Sequence, residues 1–438
     1  MEEARGLQSA LLVGEEVCLV GARVIDGTGR DPLEDAFVAW RGDRITAVGT
    51  MDRLESLVGA GVRRVDIGGR TIIPGLIDAH AHLVYGGYRR FDELNSVPSE
   101  VAAIHAATNA ALVLRAGYTT VRDLGTVGNV AVAVRDAVAV GRIAGPRIVA
   151  SGRFVTSSRG PIQHAAVPWA GGMTDVADGA DEMVRTVRRQ IALGVDNVKL
   201  MASGIEAHSR IGTATDTLTE EEIRAAVSEA HLAGRTVAVH AQSTEAIKYA
   251  IRAGADTVEH GTRIDDEAIE LFRRGTSVLV PTLSTLFSVL EYGERYDLLP
   301  KQRSEMAANK PLWLASFRAA LDAGIPMAAG GDVGNRYRHG ENAREIGLMA
   351  EHGMTPMQAI HAATGRAALA LRRQEELGSL VPGFLADLVV LERDPLADLS
   401  SLLDMRNVRL VVKDGLAVSG RLLEESPLAG LNASESGA

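Results

Sequence analysis

The sequence predicts a (β/α)8 barrel carrying a small β-sandwich domain assembled from both chain ends, an α/β fold. Three observations carry that reading. Between residues 73 and 379, eight short apolar runs alternate with longer amphipathic stretches. On either side of that span the chain reads instead as short strands separated by turns. The length of 438 residues suits one barrel of about 250–300 residues plus something smaller.

In chain order, "EVCLVGARVIDG", "DAFVAWRGDRITAVG" and "RRVDIGGRTI" are the first strands. The eight barrel runs follow: "TIIPGLIDAHAH", "YTTVRDLG", "RIVASG", "NVKLMAS", "TVAVHAQ", "DTVEHG", "SVLVPT" and "PMAAGGD". The segments between them have helical periodicity. Before "NVKL", for example, Met183, Val184, Val187 and Ile191 recur at i, i+1, i+4 and i+8. A last helix, "TPMQAIHAATGRAALAL", leads back to strands in "GSLVPGFLADLVVLERD" and "VRLVVKDGLAVSG". Neither terminal block has enough strands to bury a core alone. Residues 1–72 and 380–438 are therefore expected to form one discontinuous β-sandwich, with the barrel over 73–379. The end, "NASESGA", reads as a frayed tail.

Composition narrows the function. Hydrophobic residues make up 46%, enough for a large core, and the net charge is −10. With no long basic run, nucleic acid and anionic membranes are poor partners. The single cysteine, Cys18, excludes an intrachain disulfide and thiolate metal clusters. The start, "MEEARGLQSALLVGEEV", is acidic where a signal peptide would be basic, and no apolar run nears the ~20 residues of a membrane span. The expectation is a soluble cytoplasmic protein acting on a small-molecule substrate.

In barrels of this kind the chemistry lies where strands end. The first run ends in "DAHAHL", with His80 and His82 two apart and so on one face of a strand. The fifth ends in His240, the sixth in His260, the eighth in Asp332, and the fourth carries Lys199. One histidine in an apolar context is usually a hydrogen-bonded core residue. Four at equivalent strand ends, with a carboxylate and a lysine, are a ligand set for zinc, manganese, cobalt or iron. Lys199 is costly in a barrel core unless its charge is paired or removed, and burial depresses its pKa. Either it forms a salt bridge inside the barrel, or its neutral amine reacts with carbon dioxide to give a carbamate able to bridge two metals. No G-x-S-x-G elbow, H-E-x-x-H or full G-x-G-x-x-G occurs, which leaves serine hydrolases, zinc proteases and dinucleotide binders unsupported.

These stretches, with "ARVIDGTG", "DRITAVG", "GPRIVASG", "HGENAREIGLM", "GMTPMQAIHAAT", "LGSLVPGFLADLVVL" and "VVKDG", resemble the amidohydrolase superfamily. The similarity is to the imidazolonepropionase-related branch that includes Xaa-Pro and Xaa-Arg dipeptidases, and it runs over nearly the whole chain. It implies that His80, His82 and Asp332 hold one divalent metal and His240 and His260 another. Lys199, as N6-carboxylysine, would bridge them, with zinc the leading metal and cobalt or manganese next. It also implies a hydroxide shared by the two ions that attacks a C–N amide-type bond, with Asp332 carrying its proton to the departing amine. His164 would contact the substrate carbonyl, and a homo-oligomer is expected.

The chain departs from that pattern at three places, one of them the loop after the third run, which reads "SSRGPIQHAAVPWAGG" where many relatives show "GGHG". After the eighth run the chain reads "GGDVG" where "GTDAG" is common, and Gln242 stands where dipeptidases of this branch carry a carboxylate-binding tyrosine. Dipeptides thus compete with N-acyl amino acids, aryl amides, carbamates and ureas as substrates. A mononuclear deaminase or cyclic-amide hydrolase is a further alternative, although a deaminase would not need Lys199. Besides His164 and Gln242, Tyr85, Arg210 and His339 are candidate substrate contacts, and Tyr88, Trp169, His208, Arg336 and Arg338 lie on the same expected loops.

Overall fold

The structure, a computed structural model, describes residues 16–86, 93, 97–161, 172–205, 211–295, 300–334 and 336–420. The chain begins with β1 (Glu16–Val24), β2 (Leu33–Arg41), β3 (Arg44–Thr50), β4 (Arg63–Asp66) and β5 (Thr71–Pro74). Barrel strands follow as β6 (Leu76–Ala81), β7 (Tyr118–Asp123) and β8 (Arg147–Ala150), extended past its end by β9 (Phe154–Thr156), which pairs with β10 (Thr174–Val176). The barrel continues through β11 (Asn197–Met201), β12 (Thr236–Ala241), β13 (Thr257–His260) and β14 (Val278–Val280). After it come β15 (Leu388–Leu391), β16 (Val408–Lys413) and β17 (Leu416–Ser419).

Parallel pairing runs β6–β7–β8 and β11–β12–β13–β14, and a bridge between Ser151 and Asn197 joins the two arcs. The eighth run closes the ring: Met327 bridges Leu279, and the Ala79 amide donates to the Ala329 carbonyl at 3.0 Å. Sequence periodicity promised a full strand there, yet only that single bridge forms. Glycine explains it, because a Cβ at Gly330 would lie 2.5 Å from Val280 Cγ1 and 2.7 Å from His80 Cβ. At Gly330 the run is pressed against β6 and β14 too closely for a side chain.

"TIIPGLIDAHAH" reads as one strand but is two. Gly75 separates β5 from β6, and a Cβ there would collide with Thr119 Oγ1 at 2.1 Å. β5 pairs antiparallel with β15, Ile72 opposite Val390 and Ile73 opposite Val389, which ties the two chain ends together. The resulting sheet has eight strands, ordered β17-β16-β15-β5-β1-β2-β3 with β4 beside β1. It folds over itself as a sandwich: Trp40 Nε1 on β2 donates 3.0 Å to the Gly415 carbonyl between β16 and β17. Alternation sorts the side chains. Ile72, Leu388 and Val390 fill the sandwich core, while Ile73, Val389 and Leu391 join the barrel core.

Helices pack around the barrel on their apolar faces. Ala180–Ala192 buries Met183 and Val187. Thr219 and Glu222 form a reciprocal capping box at the start of Glu220–Leu232. The long last helix divides at Thr364 into Pro356–Ala362 and Gly365–Ala370. Among the described residues, no helix is long and apolar enough to cross a membrane.

Candidate metal centre

Strand ends bring five of the six expected ligands face to face. His80 lies on β6 and His82 just beyond it, their ring centroids 5.3 Å apart. His260 stands 5.2 Å from His80 and 4.5 Å from His240. Asp332 Oδ1 is 3.4 Å from His82 Nε2 and 3.8 Å from His80 Nε2. Ligand atoms of His80, His260 and Asp332 all fall within 4.8 Å of one another. Lys199 is the sixth. It is 1% exposed, and its charge reaches all four imidazoles and Asp332.

Each ring is held by one nitrogen, and the acceptor fixes which. His80 Nδ1 meets Glu259 Oε2 at 2.7 Å and His82 Nδ1 meets the Gly125 carbonyl at 3.2 Å, so both turn Nε2 toward Asp332. His240 donates through Nε2 to the Gly204 carbonyl at 3.1 Å, leaving Nδ1 as its free donor atom. His260 Nδ1 contacts Thr282 Oγ1 at 2.6 Å. Asp332 Oδ2 accepts from Thr285 Oγ1 at 2.7 Å, which keeps Oδ1 for the centre.

Burial, reinforced by the Lys199 charge, pushes His82 and His240 down to about 3, and His80 and His260 are held well below the usual imidazole range. All four rings are therefore neutral donors, the form that binds a metal. Burial also lowers Lys199 to about 8, opposed by the Glu259 and Asp332 carboxylates, and raises Asp332 to about 6. Lys199 Nζ has no hydrogen-bond partner. A buried ammonium so placed would be expensive. A salt bridge inside the barrel, the plain alternative, is thus absent at this lysine. Four neutral imidazoles, a carboxylate and an orphaned amine fit divalent metal ions.

Backbone strain concentrates here as well. His260, Asp332 and Thr282 have φ of 70°, 44° and 48°, left-handed values that cost a branched or bulky residue about 1–2 kcal/mol each.

Sequence reasoning missed the support beneath the ligands. Arg122 Nη2 pairs with Glu259 Oε1 at 3.0 Å, both side chains fully buried, and Arg122 Nε donates to the Ala79 carbonyl at 2.8 Å. Thr257 also donates to Glu259. A charge inside each apolar run, in "TTVRD" and "TVEHG", was the available signal. No local signal marked Thr282 or Thr285.

Of the expected substrate contacts, Tyr85 stacks on His82 with centroids 4.6 Å apart. His339 is 7% exposed, and burial lowers it to about 4 beside the His82 and Tyr85 carbonyls. Gln242 is buried, with Oε1 accepting from Thr262 Oγ1 at 3.2 Å. His164 and Arg210 lie outside the described residues, as do Tyr88, Trp169 and His208.

The amidohydrolase family profile matches residues 71–418. The chain belongs to the amidohydrolase family. It is 32% identical over 376 residues to the ochratoxinase of Aspergillus niger, covering 80% of this chain and 76% of that one. The crystal structure of that enzyme superposes with a TM-score of 0.83 at 27% identity, over 93% of this chain and 96% of that one. A Xaa-Pro dipeptidase solved with bound methionine gives a TM-score of 0.83 at 32% identity, covering 93% and 100% of the two chains. The imidazolonepropionase of Streptomyces avermitilis is 27% identical over 393 residues, 83% of each chain. Membership places the chain among the metal-dependent hydrolases of carbon–nitrogen bonds and agrees with the branch its motifs resemble.

Proposed function

We propose that this amidohydrolase binds two divalent metal ions and hydrolyses an amide-type bond in a small molecule: an N-acyl amino acid, dipeptide, aryl amide, carbamate or urea. The observation that carries it is the buried, partnerless amine of Lys199 beside four neutral imidazoles and Asp332. On this reading His80, His82 and Asp332 would hold one ion and His240 and His260 the other, with carboxylated Lys199 as a ligand shared by both. Zinc suits the nitrogen-rich set best, with cobalt or manganese able to substitute. Ions held there would lower a water's pKa to near neutrality and polarise the scissile carbonyl.

The chain's own groups do the rest. Thr285 fixes Asp332 so that Oδ1 faces the centre, where it takes the attacking water's proton and delivers it to the departing amine. Glu259 and Thr282 keep the rings of His80 and His260 in register. Tyr85 walls one side by stacking on His82. His164 is the proposed partner of the substrate carbonyl, with Arg210 and His339 at the pocket. Residues 73–379 would form the catalytic unit and the two chain ends the accessory one, in a cytoplasmic homo-oligomer.

Gln242 argues for an uncharged group at its side of the pocket, since it brings no positive charge and its oxygen is already engaged by Thr262. A peptidase reading is favoured by Arg336, whose guanidinium is within electrostatic reach of Asp332 and Tyr85. The metal-loaded enzyme should be assayed on N-acyl amino acids and dipeptides, their C-terminal amides, and aryl amides, carbamates and ureas. Turnover of the uncharged forms at rates equal to or above the free acids supports the first reading. A large preference for the free acids moves the dipeptidase reading to the front, and no hydrolysis of any class refutes both.

A further inference from the structure

Two of the groups that orient the centre follow β14 closely, Thr282 just before the helix Leu283–Tyr292 and Thr285 in its first turn, and that helix start has an unusual anchor. Thr282 precedes the helix Leu283–Tyr292 with left-handed φ and makes no side-chain cap. The first amides of that helix are instead met from outside by Glu345, which is 1% exposed. Leu283 N donates to Glu345 Oε1 at 2.9 Å, and Ser284 N and Oγ both reach Oε2 at 2.7 Å. Three residues earlier, Asn342 Nδ2 donates to Asp78 Oδ2 at 2.7 Å. Asp78 Oδ1 in turn accepts from the His80 amide at 3.0 Å and the Gly331 amide at 2.9 Å. One turn thus holds the backbone under His80 and Asp332 on one side and the helix start behind His260 and Asp332 on the other.

We infer that Asn342 and Glu345 are positioning residues, a two-point clamp that sets the metal geometry through the Asp78 carboxylate and the start of the helix Leu283–Tyr292. The inference rests on the proposed metal function. Neither residue touches the ligands. Glu345 acts through Leu283 and Ser284 to hold Thr282 against His260 Nδ1 and Thr285 against Asp332 Oδ2. An ordinary helix cap would stabilise the helix and do no more.

The test compares the full-length parent with Glu345→Gln, Asn342→Ala, Thr285→Val and the Glu345→Gln/Thr285→Val double variant. Metal retention is read by competition with a chelator, alongside kcat, KM and the melting temperature of metal-free protein. Gln keeps the shape but turns an NH2 toward a backbone N–H. The clamp predicts that it weakens metal retention by about tenfold, as support of ligands generally does. It also predicts a lower kcat with KM nearly unchanged, and a double variant losing less than the product of the single effects. Should Glu345→Gln fail to fold, Ser284→Ala, which removes one of the three bonds, should still loosen the metal by a smaller factor. A lower melting temperature with unchanged metal retention and kcat would reduce Glu345 to a helix cap and overturn the clamp. Multiplicative effects in the double variant would overturn it too. A parent retaining no metal at all would refute the metal reading itself, a different result from equal retention by parent and variant.

Discussion

On the proposed reading, Lys199 is the residue on which the chemistry turns. Its amine is buried on β11, lowered to about 8 and without a partner. Lys199→Ala should abolish metal bridging and activity, with partial rescue by a short carboxylate plus metal. Lys199→Arg should be equally inactive, because a guanidinium stays charged and forms no carbamate. Full activity of the arginine variant, measured at saturating metal, would rule the carbamate out. Asp332 separates binding from proton transfer. Asp332→Asn preserves shape but cannot take a proton, so kcat should fall about 10²-fold or more on every substrate class. A drop confined to one class, measured by steady-state kinetics, would make Asp332 a specificity residue instead. The six expected ligands stand out in the sequence because each interrupts or ends an apolar run, where a polar residue is expensive. Glu259 and Arg122 were visible in the same way but carry no ligand spacing, so nothing in the sequence tied either to His80, far away in the chain.

At the level of elements, the junction of β6 with the eighth run is a close approach inside the barrel. A Cβ on Gly330 would press on both Val280 and His80. Gly330→Ala should therefore cost about 1–3 kcal/mol by overpacking and, by shifting His80, loosen the metal as well. Denaturant titration and chelator competition check the two effects, and unchanged metal retention would show that His80 is insulated from this contact. Here the limits of sequence reading are plain. Eight runs and their helices follow from periodicity, because that pattern records which faces are buried. Periodicity does not record backbone-to-backbone distance. It therefore turned "PMAAGGD" into a strand, fused β5 with β6 across Gly75, and ran one helix through Thr364. The loops that orient the ligands are set by long-range bonds such as Leu283 to Glu345, which no local pattern encodes.

On the scale of the whole molecule, the two chain ends and the barrel meet at contacts such as His361 Nδ1 to the Gly27 carbonyl, 2.7 Å. Burial lowers His361 below its ordinary value, against the raising effect of that carbonyl. The folded protein then binds fewer protons there than the unfolded chain. Its contribution is complete above about pH 6.5 and is lost as pH falls below that. Urea midpoints of the parent should therefore decline more steeply from pH 7 to pH 5 than those of His361→Asn, which keeps a donor but cannot titrate. Parallel curves would contradict it. The union of the two chain ends in one sheet was legible because neither terminal block could bury a core alone, and β5 paired with β15 is the physical answer. The central claim, a barrel whose strand ends hold a two-metal hydrolytic site, is tested most directly by metal content. Freshly prepared active enzyme should contain about two divalent ions per chain, lose activity with them on chelation, and recover it with zinc, cobalt or manganese. One ion or none in fully active protein would contradict it.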